Sequence, residues 1–129
     1  MLAIDTNVVV RYLTGDHPDQ SARAKAIVDG QAVFVATTVL LEVEWVLRSA
    51  RGYAPGRLAH ALTAFAGLPT VTLEHPSRCA AALEAMASGR DFADALHLAA
   101  AQDCYAFVTF DVAFAKSAKG LGGVEVRLA

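Results

Sequence analysis

The sequence predicts an α/β protein with a single domain over residues 1–129: a three-layer sandwich with a parallel five-stranded sheet flanked by helices. Short apolar runs of strand length alternate with longer segments of helical periodicity, which is the pattern of parallel strands joined by helices. The length of 129 residues suits one domain. Hydrophobic residues make up 55% of the chain, which suffices for a core and excludes a disordered chain.

The five predicted strands are short apolar runs, and in chain order they cover residues 2–4, 32–36, 70–73, 106–110 and 124–128. The seven predicted helices show apolar residues at helical spacing, and they cover residues 6–14, 18–29, 38–51, 56–66, 76–88, 92–104 and 112–118. Asp5 and Thr6 can cap the first helix, and Pro55 suits a helix start. Glycines at 30, 52, 67 and 89 lie near predicted helix ends.

Charge and composition limit the class of function. The chain has 11 basic and 13 acidic residues and a net charge of -2. This excludes a polybasic protein that holds nucleic acid by bulk attraction, but it permits a nuclease with an acidic site. The sequence begins without a signal-like segment and has no run of about 18 apolar residues, so we expect a cytoplasmic protein with no membrane span. Cys79 and Cys104 lack metal-ligand spacing and are expected to be buried free thiols rather than a disulfide.

Acidic residues fall where a parallel sheet places its ligands, beyond the carboxyl ends of the strands. Asp5 and Asp111 each follow a predicted strand. Glu42 lies in the second turn of the helix that leaves the second strand. Asp91 and Asp94 open the helix that feeds the fourth strand. Helix capping by Asp5 and Asp91, a helix-dipole role for Asp94 and a turn role for Asp111 remain open as structural alternatives.

Two glutamates of the third predicted helix are expected to differ in environment. The apolar stripe of this helix contains Val39, Val43, Val46 and Leu47. Glu42 falls at or inside this stripe, so we expect a partly buried carboxylate that needs a partner or a cation. Glu44 falls on the polar side, four residues before Arg48, and is expected to form an exposed ion pair.

Asp94 lies in a helix that is apolar nearly all round, and Asp91 is one turn away on the same face. Gathered carboxylates raise the pKa of at least one member unless a cation is present. Mg²⁺ or Mn²⁺ suits such a site, because these hard cations prefer oxygen ligands. The sequence has neither a His/Cys cluster of the kind zinc prefers nor a phosphate-binding G-x-x-x-x-G-K-[ST] loop.

Four segments form a recognisable series. Residues 5–13 open with D-T-N, residues 37–47 carry the helical glutamate, residues 91–99 contain D-x-x-D-A-L, and residues 109–111 end in aspartate. In order and spacing these segments resemble the PIN-domain family, and more narrowly the VapC toxins of bacterial type II toxin–antitoxin systems. The resemblance covers nearly the whole chain.

The resemblance implies a metal-dependent endoribonuclease that hydrolyses RNA phosphodiester bonds. It assigns a catalytic quartet that holds Mg²⁺ or Mn²⁺ to Asp5, Glu42, Asp94 and Asp111. Asp91 is either an accessory ligand or a cap, and Asn7 and Thr109 are expected to orient carboxylates or water. Attack by water in line would leave 5′-phosphate and 3′-hydroxyl ends. The implied partners are an RNA substrate, a cognate antitoxin protein and a second copy of the chain. The second copy would form a homodimer, either alone or as part of a toxin–antitoxin hetero-oligomer.

Candidate RNA-binding residues are basic side chains near the same rim. Arg11, Arg48 and Lys116 are the selected positions, and each is equally well explained as an ordinary surface charge. Tyr12 and Phe114 are more readily explained by core packing than by base stacking, although stacking is common in readers of single-stranded RNA. His97, one turn after Asp94, is more readily explained as an interior histidine than as a group that assists proton transfer or contacts phosphate.

Two other functions fit parts of the pattern. A catalytically silent module that binds metal and RNA would share the acidic rim, and metal-dependent RNA cleavage separates it from an enzyme. A receiver-type phosphoacceptor domain requires adjacent acids after the first strand and an acceptor aspartate after a central strand. Here Thr6 follows Asp5, and Glu74 and His75 follow the middle strand, which disfavours a receiver.

Overall fold

A computed structural model describes residues 1–119 and 123–129 and contains strands and helices in the predicted alternation. The strands are β1 (Leu2–Ala3), β2 (Val33–Val35), β3 (Val71–Leu73), β4 (Ala106–Thr109) and β5 (Glu125–Leu128). The helices are α1 (Thr6–Thr14), α2 (Pro18–Gly30), α3 (Thr37–Ser49), α4 (Pro55–Ala66), α5 (Pro76–Ala87), α6 (Phe92–Ala100) and α7 (Val112–Ala118). The predicted bounds agree to within a few residues, with the sixth helix ending four residues early.

The strands form two parallel sheets rather than the one predicted. In the first sheet the order is β1-β2-β3, and in the second β4 pairs with β5. The short β1 uses its ladder on β2, where the Leu2 amide donates to the Ala32 carbonyl and the Ile4 amide to the Phe34 carbonyl. β1 is therefore the edge of its sheet, and the described residues contain no pairing between β1 and β4. The α/β class is confirmed, whereas a single five-stranded sheet is not what the structure shows.

The main core lies between the first sheet and helices α1 to α6. β2 is the central strand, so its inward residues Val33 and Val35 are fully buried. The largest fully buried side chains contributed by the helices include Val9, Val28, Leu40, Leu47, Leu58, Leu62, Phe65 and Phe92. Both cysteines are free thiols as predicted, but only Cys79 is buried in this core; Cys104, predicted to be buried, is exposed. Burial of this apolar surface is the main contribution to stability.

The position of α3 is fixed by a cap from another part of the chain. Glu74, directly after β3, accepts a hydrogen bond from the Thr37 backbone amide at 2.9 Å. The Thr37 hydroxyl donates to the Glu74 carbonyl at 3.3 Å, and the Glu74 amide donates to the Val35 carbonyl. The bonds from Thr37 hold the pKa of the Glu74 carboxyl below its usual value. This contact locks the start of α3 against the carboxyl edge of the first sheet.

Within residues 1–119 and 123–129, none of the helices has the length and apolar character needed to cross a membrane.

Candidate active site

Asp5 and Glu42 meet at the carboxyl edge of the first sheet through Thr6. Asp5 follows β1 and caps α1, with its Oδ1 accepting from the Thr6 amide at 2.7 Å. Thr6 is buried, and its hydroxyl donates to Glu42 Oε1 on the second turn of α3. This bond joins the start of α1 to α3. It brings two members of the predicted quartet to one edge, as the strand-end argument requires.

The environments of Glu42 and Glu44 are the reverse of those predicted. Glu42 is exposed, whereas the Glu44 side chain is only 3% exposed. The buried face of α3 is formed by Leu40, Val43, Glu44 and Leu47, which follow the i, i+3, i+4, i+7 spacing. The predicted stripe shares Val43 and Leu47 with this face and differs from it by a rotation of the helix of less than one residue position. The surrounding helices, which the sequence pattern does not specify, determine the buried face.

Arg48 compensates the buried Glu44. Its Nε donates to Glu44 Oε1 at 3.2 Å and to Oε2 at 3.1 Å. The carboxylate of Glu44 and the negative charge of Asp91 both raise the pKa of Arg48, with Glu44 as the larger cause. Arg48 therefore has a structural partner, which accounts for it without RNA. The expected exposed Glu44–Arg48 pair does form, but its acidic half lies in the core.

Four other acidic residues line a cavity of about 770 Å³ between α5, α6, α7 and β5: Glu84 on α5, which the sequence did not single out, and Asp91, Asp94 and Asp111. Asp91 caps α6, with Oδ2 accepting from the Asp94 amide at 3.0 Å. Asp111 caps α7, with Oδ1 accepting from the Phe114 amide at 3.0 Å. The Asp111 amide donates to the Thr109 hydroxyl at 3.0 Å, so Thr109 orders the turn that carries Asp111. Arg90, which also lines the cavity, donates to the Ser117 carbonyl on α7.

The cavity disfavours the ionised form of Asp94. Burial is the largest cause of the raised pKa of Asp94, and the negative charges of Asp91 and Asp111 add to it. His97 acts in the opposite direction, but it lies on the exposed side of α6 rather than in the interior as expected. An excess of negative charge around a half-buried carboxylate is the condition that a bound cation relieves.

The contacts thus join the acidic residues in two groups, Asp5 with Glu42 and Asp91 with Asp94 and Asp111. Across the ranges that the structure describes, no three Asp, Glu, His or Cys side chains gather closely enough to hold a metal ion. The split between the sheets gives a physical reason, because β4 does not pair with β1 and so does not bring Asp111 beside Asp5. The donor chemistry, carboxylate and hydroxyl oxygen, fits a hard divalent cation.

The capping roles that the sequence left open for Asp5 and Asp91 are present in the structure, and Asp111, expected as a turn residue, is also a cap. Asp5, Asp91 and Asp111 each use one carboxylate oxygen to accept a backbone amide. A carboxylate has a second oxygen, so capping and cation binding are compatible. The cap also fixes the orientation of each side chain. Each cap therefore leaves the second oxygen of its carboxylate as a candidate cation ligand.

The remaining candidates occupy ordinary positions. Arg11 is partly buried and pairs with Asp16 at 3.1 Å, and Lys116 is exposed in the last turn of α7. Asn7 is exposed in the first turn of α1. The aromatic residues pack as expected: Tyr12 lies edge-on to Phe65 with ring centroids 5.8 Å apart, and Phe114 is buried.

Around α3, sequence reasoning placed Glu44 on the wrong face of the helix and missed the exposure of Trp45 and the contact of Glu74. The Trp45 side chain is 56% exposed, one helical turn after Glu42. The one signal for Trp45 in the sequence is its position three residues after Glu42, which places the two side chains on the same side of α3. The role of Glu74 as a cap for α3 joins residues 37 positions apart, and no local pattern marks it.

Comparison with known proteins gives one positive finding. A family model described as the PIN domain matches residues 2–120, a range that includes both acidic groups. A comparison with curated proteins gave no match.

Proposed function

The chain belongs to the PIN-domain family, whose members are generally metal-dependent nucleases, and from this premise we propose that it is a Mg²⁺- or Mn²⁺-dependent endoribonuclease. The observation that carries the proposal is the cavity shared by Asp91, Asp94 and Asp111, in which burial and neighbouring charge raise the pKa of Asp94. The residues that would hold the cation are Asp5, Glu42, Asp94 and Asp111. Asp91 serves as a cap and an accessory ligand.

The chain's own residues would position the reacting groups. A bound divalent cation supplies Lewis-acid stabilisation of charge on the scissile phosphate. The backbone caps hold Asp5 and Asp111 by one oxygen each, which leaves the other oxygen fixed in direction. Thr6 orients Glu42, and the proposed role of Glu42 is to align the attacking water. Cleavage in line would leave 5′-phosphate and 3′-hydroxyl ends.

The proposal includes pairing of β1 with β4 in the active protein, which would make one five-stranded sheet. Asp5 lies two residues after the end of β1, and Asp111 lies two residues after the end of β4. In parallel, aligned strands these equal offsets would place both carboxylates side by side. Exposed apolar residues at the unpaired edges support this pairing, since Leu2 is 47% and Val108 60% exposed.

We further propose that the protein acts in the cytoplasm as the toxin of a toxin–antitoxin pair, forms a homodimer and is inhibited by a cognate antitoxin. The support is the series of four sequence segments that resembles VapC toxins. An antitoxin should be encoded in a short reading frame next to that of this chain. Its co-expression should restore the growth of cells that this chain arrests, and an Asp5→Asn chain should arrest no growth.

The test of the enzymatic proposal is cleavage of single-stranded RNA by the purified protein with Mg²⁺ or Mn²⁺, and with a chelator. Asp5→Asn and Asp94→Asn should each lose more in rate than the roughly 10- to 100-fold that loss of an outer-shell partner of a metal ligand costs. Asparagine is as good an N-cap as aspartate, so Asp5→Asn retains the fold. The matched control is Asp103→Asn, an exposed aspartate beyond the other end of α6.

Three outcomes distinguish the functions. Cleavage that needs the cation and is lost in Asp94→Asn but not in Asp103→Asn supports the proposal. RNA binding without cleavage under any cation would instead identify a silent binding module. Cleavage that continues in both Asp5→Asn and Asp94→Asn would exclude these residues from the active site.

A further inference from the structure

The exposed face of α3 combines an acidic, an aromatic and a basic residue on successive turns: Glu42, Trp45 and Arg48. Their spacing of three residues places neighbours nearly one turn, or roughly 4.5 Å, apart along the helix. Trp45 is the only tryptophan in the sequence, and it is 56% exposed. The indole thus lies beside a residue of the candidate active site rather than in the core.

The two neighbours of Trp45 are themselves held in place. Glu42 accepts from the buried Thr6, and Arg48 donates through Nε to the buried Glu44. In the described ranges, the hydrogen bonds of Arg48 involve Nε alone, so the terminal nitrogens can face solvent beside the indole. An indole between two anchored charges is a polar setting. The residues three positions away from Trp45 on α3 are therefore charged on both sides.

We propose that Trp45 is a stacking platform for an unpaired nucleobase of single-stranded RNA, next to the phosphodiester that is cleaved. This inference rests on the proposed ribonuclease function and adds a binding subsite to it. Bases of single-stranded RNA are bound chiefly by stacking on aromatic side chains, and tryptophan presents the largest face. The base would lie over the indole, and its phosphate would lie toward Glu42 and the aspartates.

The size of the effect follows from the general strength of such contacts. Stacking of one base on an aromatic residue accounts for about 5- to 150-fold in binding when that residue is replaced by alanine. Trp45→Ala should therefore raise KM by a factor in this range and change kcat much less. Trp45→Phe retains an aromatic face and should recover most of the loss. Because Trp45 is exposed, Trp45→Ala should leave the unfolding temperature nearly unchanged.

The single tryptophan makes binding directly visible. The fluorescence of the full chain is titrated with a short single-stranded oligoribonucleotide in the presence of a chelator, so that no cleavage intervenes. An abasic oligomer of the same length serves as the ligand control, since it carries the phosphates without the bases. Tyr105→Ala is the matched protein control, because Tyr105 is 86% exposed and precedes β4, at the amino end of that strand.

Quenching by the oligoribonucleotide but not by the abasic oligomer, together with the KM rise in Trp45→Ala alone, supports the proposal. Equal quenching by both ligands, or an unchanged KM in Trp45→Ala while the wild type cleaves RNA, overturns it and leaves the nuclease function intact. Emission that changes with protein concentration and not with RNA would identify a second copy as the occupant. Base-dependent quenching without any cleavage would refute the nuclease function and not the stacking contact.

Discussion

Removing Arg48 should destabilise the fold because Glu44 cannot leave the core. The Glu44 side chain is 3% exposed, and both of its oxygens accept from Arg48 Nε, at 3.2 and 3.1 Å. Arg48→Met retains most of the aliphatic stem and removes only the guanidinium. It leaves a buried carboxylate without its charged partner, which is costly in a low-dielectric interior.

The magnitude follows from the burial of the two partners. Breaking a fully buried ion pair costs about 3–5 kcal/mol. The Arg48 side chain is 48% exposed, so solvent already screens part of the interaction. The expected loss of stability is therefore smaller than for a fully buried pair. We expect Arg48→Met to lower the free energy of unfolding by about 1–3 kcal/mol. Glu44→Leu should cost far less, because the Arg48 left behind can turn to water.

Urea denaturation of four chains measures the effect: wild type, Arg48→Met, Glu44→Leu and the double variant. The double variant should be about as stable as Glu44→Leu, since no carboxylate then remains in the core. The matched control is Arg23→Met, which removes the arginine of an exposed pair with Asp19 at the same i, i+4 spacing. If Arg48→Met is no more destabilising than Arg23→Met, the burial argument for Glu44 is refuted.

Three further predictions concern the elements that carry the site. Thr37 lowers the pKa of Glu74 in the folded state, so Glu74 contributes stability above its usual pKa of 4.5. That stability is lost as the pH falls through the lower folded-state pKa. The free energy of unfolding should therefore fall less steeply with acid in Glu74→Gln than in the wild type. Asp111→Ala should lower the free energy of unfolding by about 1 kcal/mol through loss of the α7 cap, whereas Asp111→Asn should not, as thermal unfolding of both will show. The Leu2 and Ile4 amides bond to β2, so the Ala3 amide between them points to the opposite edge of β1. Slow hydrogen exchange at Ala3 would indicate pairing of β1 with β4, and fast exchange would indicate two separate sheets.

Local features were predictable from the sequence. Helix starts follow from capping residues and prolines within a few positions, and Asp5 and Asp91 occupy the cap positions predicted for them. Asp111, expected as a turn residue, also caps a helix. The strands coincide with short apolar runs because such runs are what a buried parallel sheet needs. The grouping of Asp91 with Asp94 is also local, since it needs only one helical turn.

Features that depend on distant contacts were not predictable. The burial of Glu44 instead of Glu42 depends on which neighbours pack against α3. A rotation of the helix by less than one residue position decides which of the two glutamates lies nearer the core. The cap from Glu74 to Thr37 and the bond from Thr6 to Glu42 each join residues more than 35 positions apart. The division into two sheets reflects the short β1, and alternation of strands and helices alone cannot reveal it.

The central claim is that the two acidic groups, Asp5 with Glu42 and the cavity aspartates, act on one divalent cation. Binding of Mn²⁺ to the full chain, followed by electron paramagnetic resonance of free Mn²⁺, tests it directly and without RNA. We predict that Asp5→Asn and Asp111→Asn each weaken binding at the same site, while Asp103→Asn binds as the wild type does. Unchanged Mn²⁺ affinity in Asp5→Asn, or the absence of binding by the wild type, would contradict the claim.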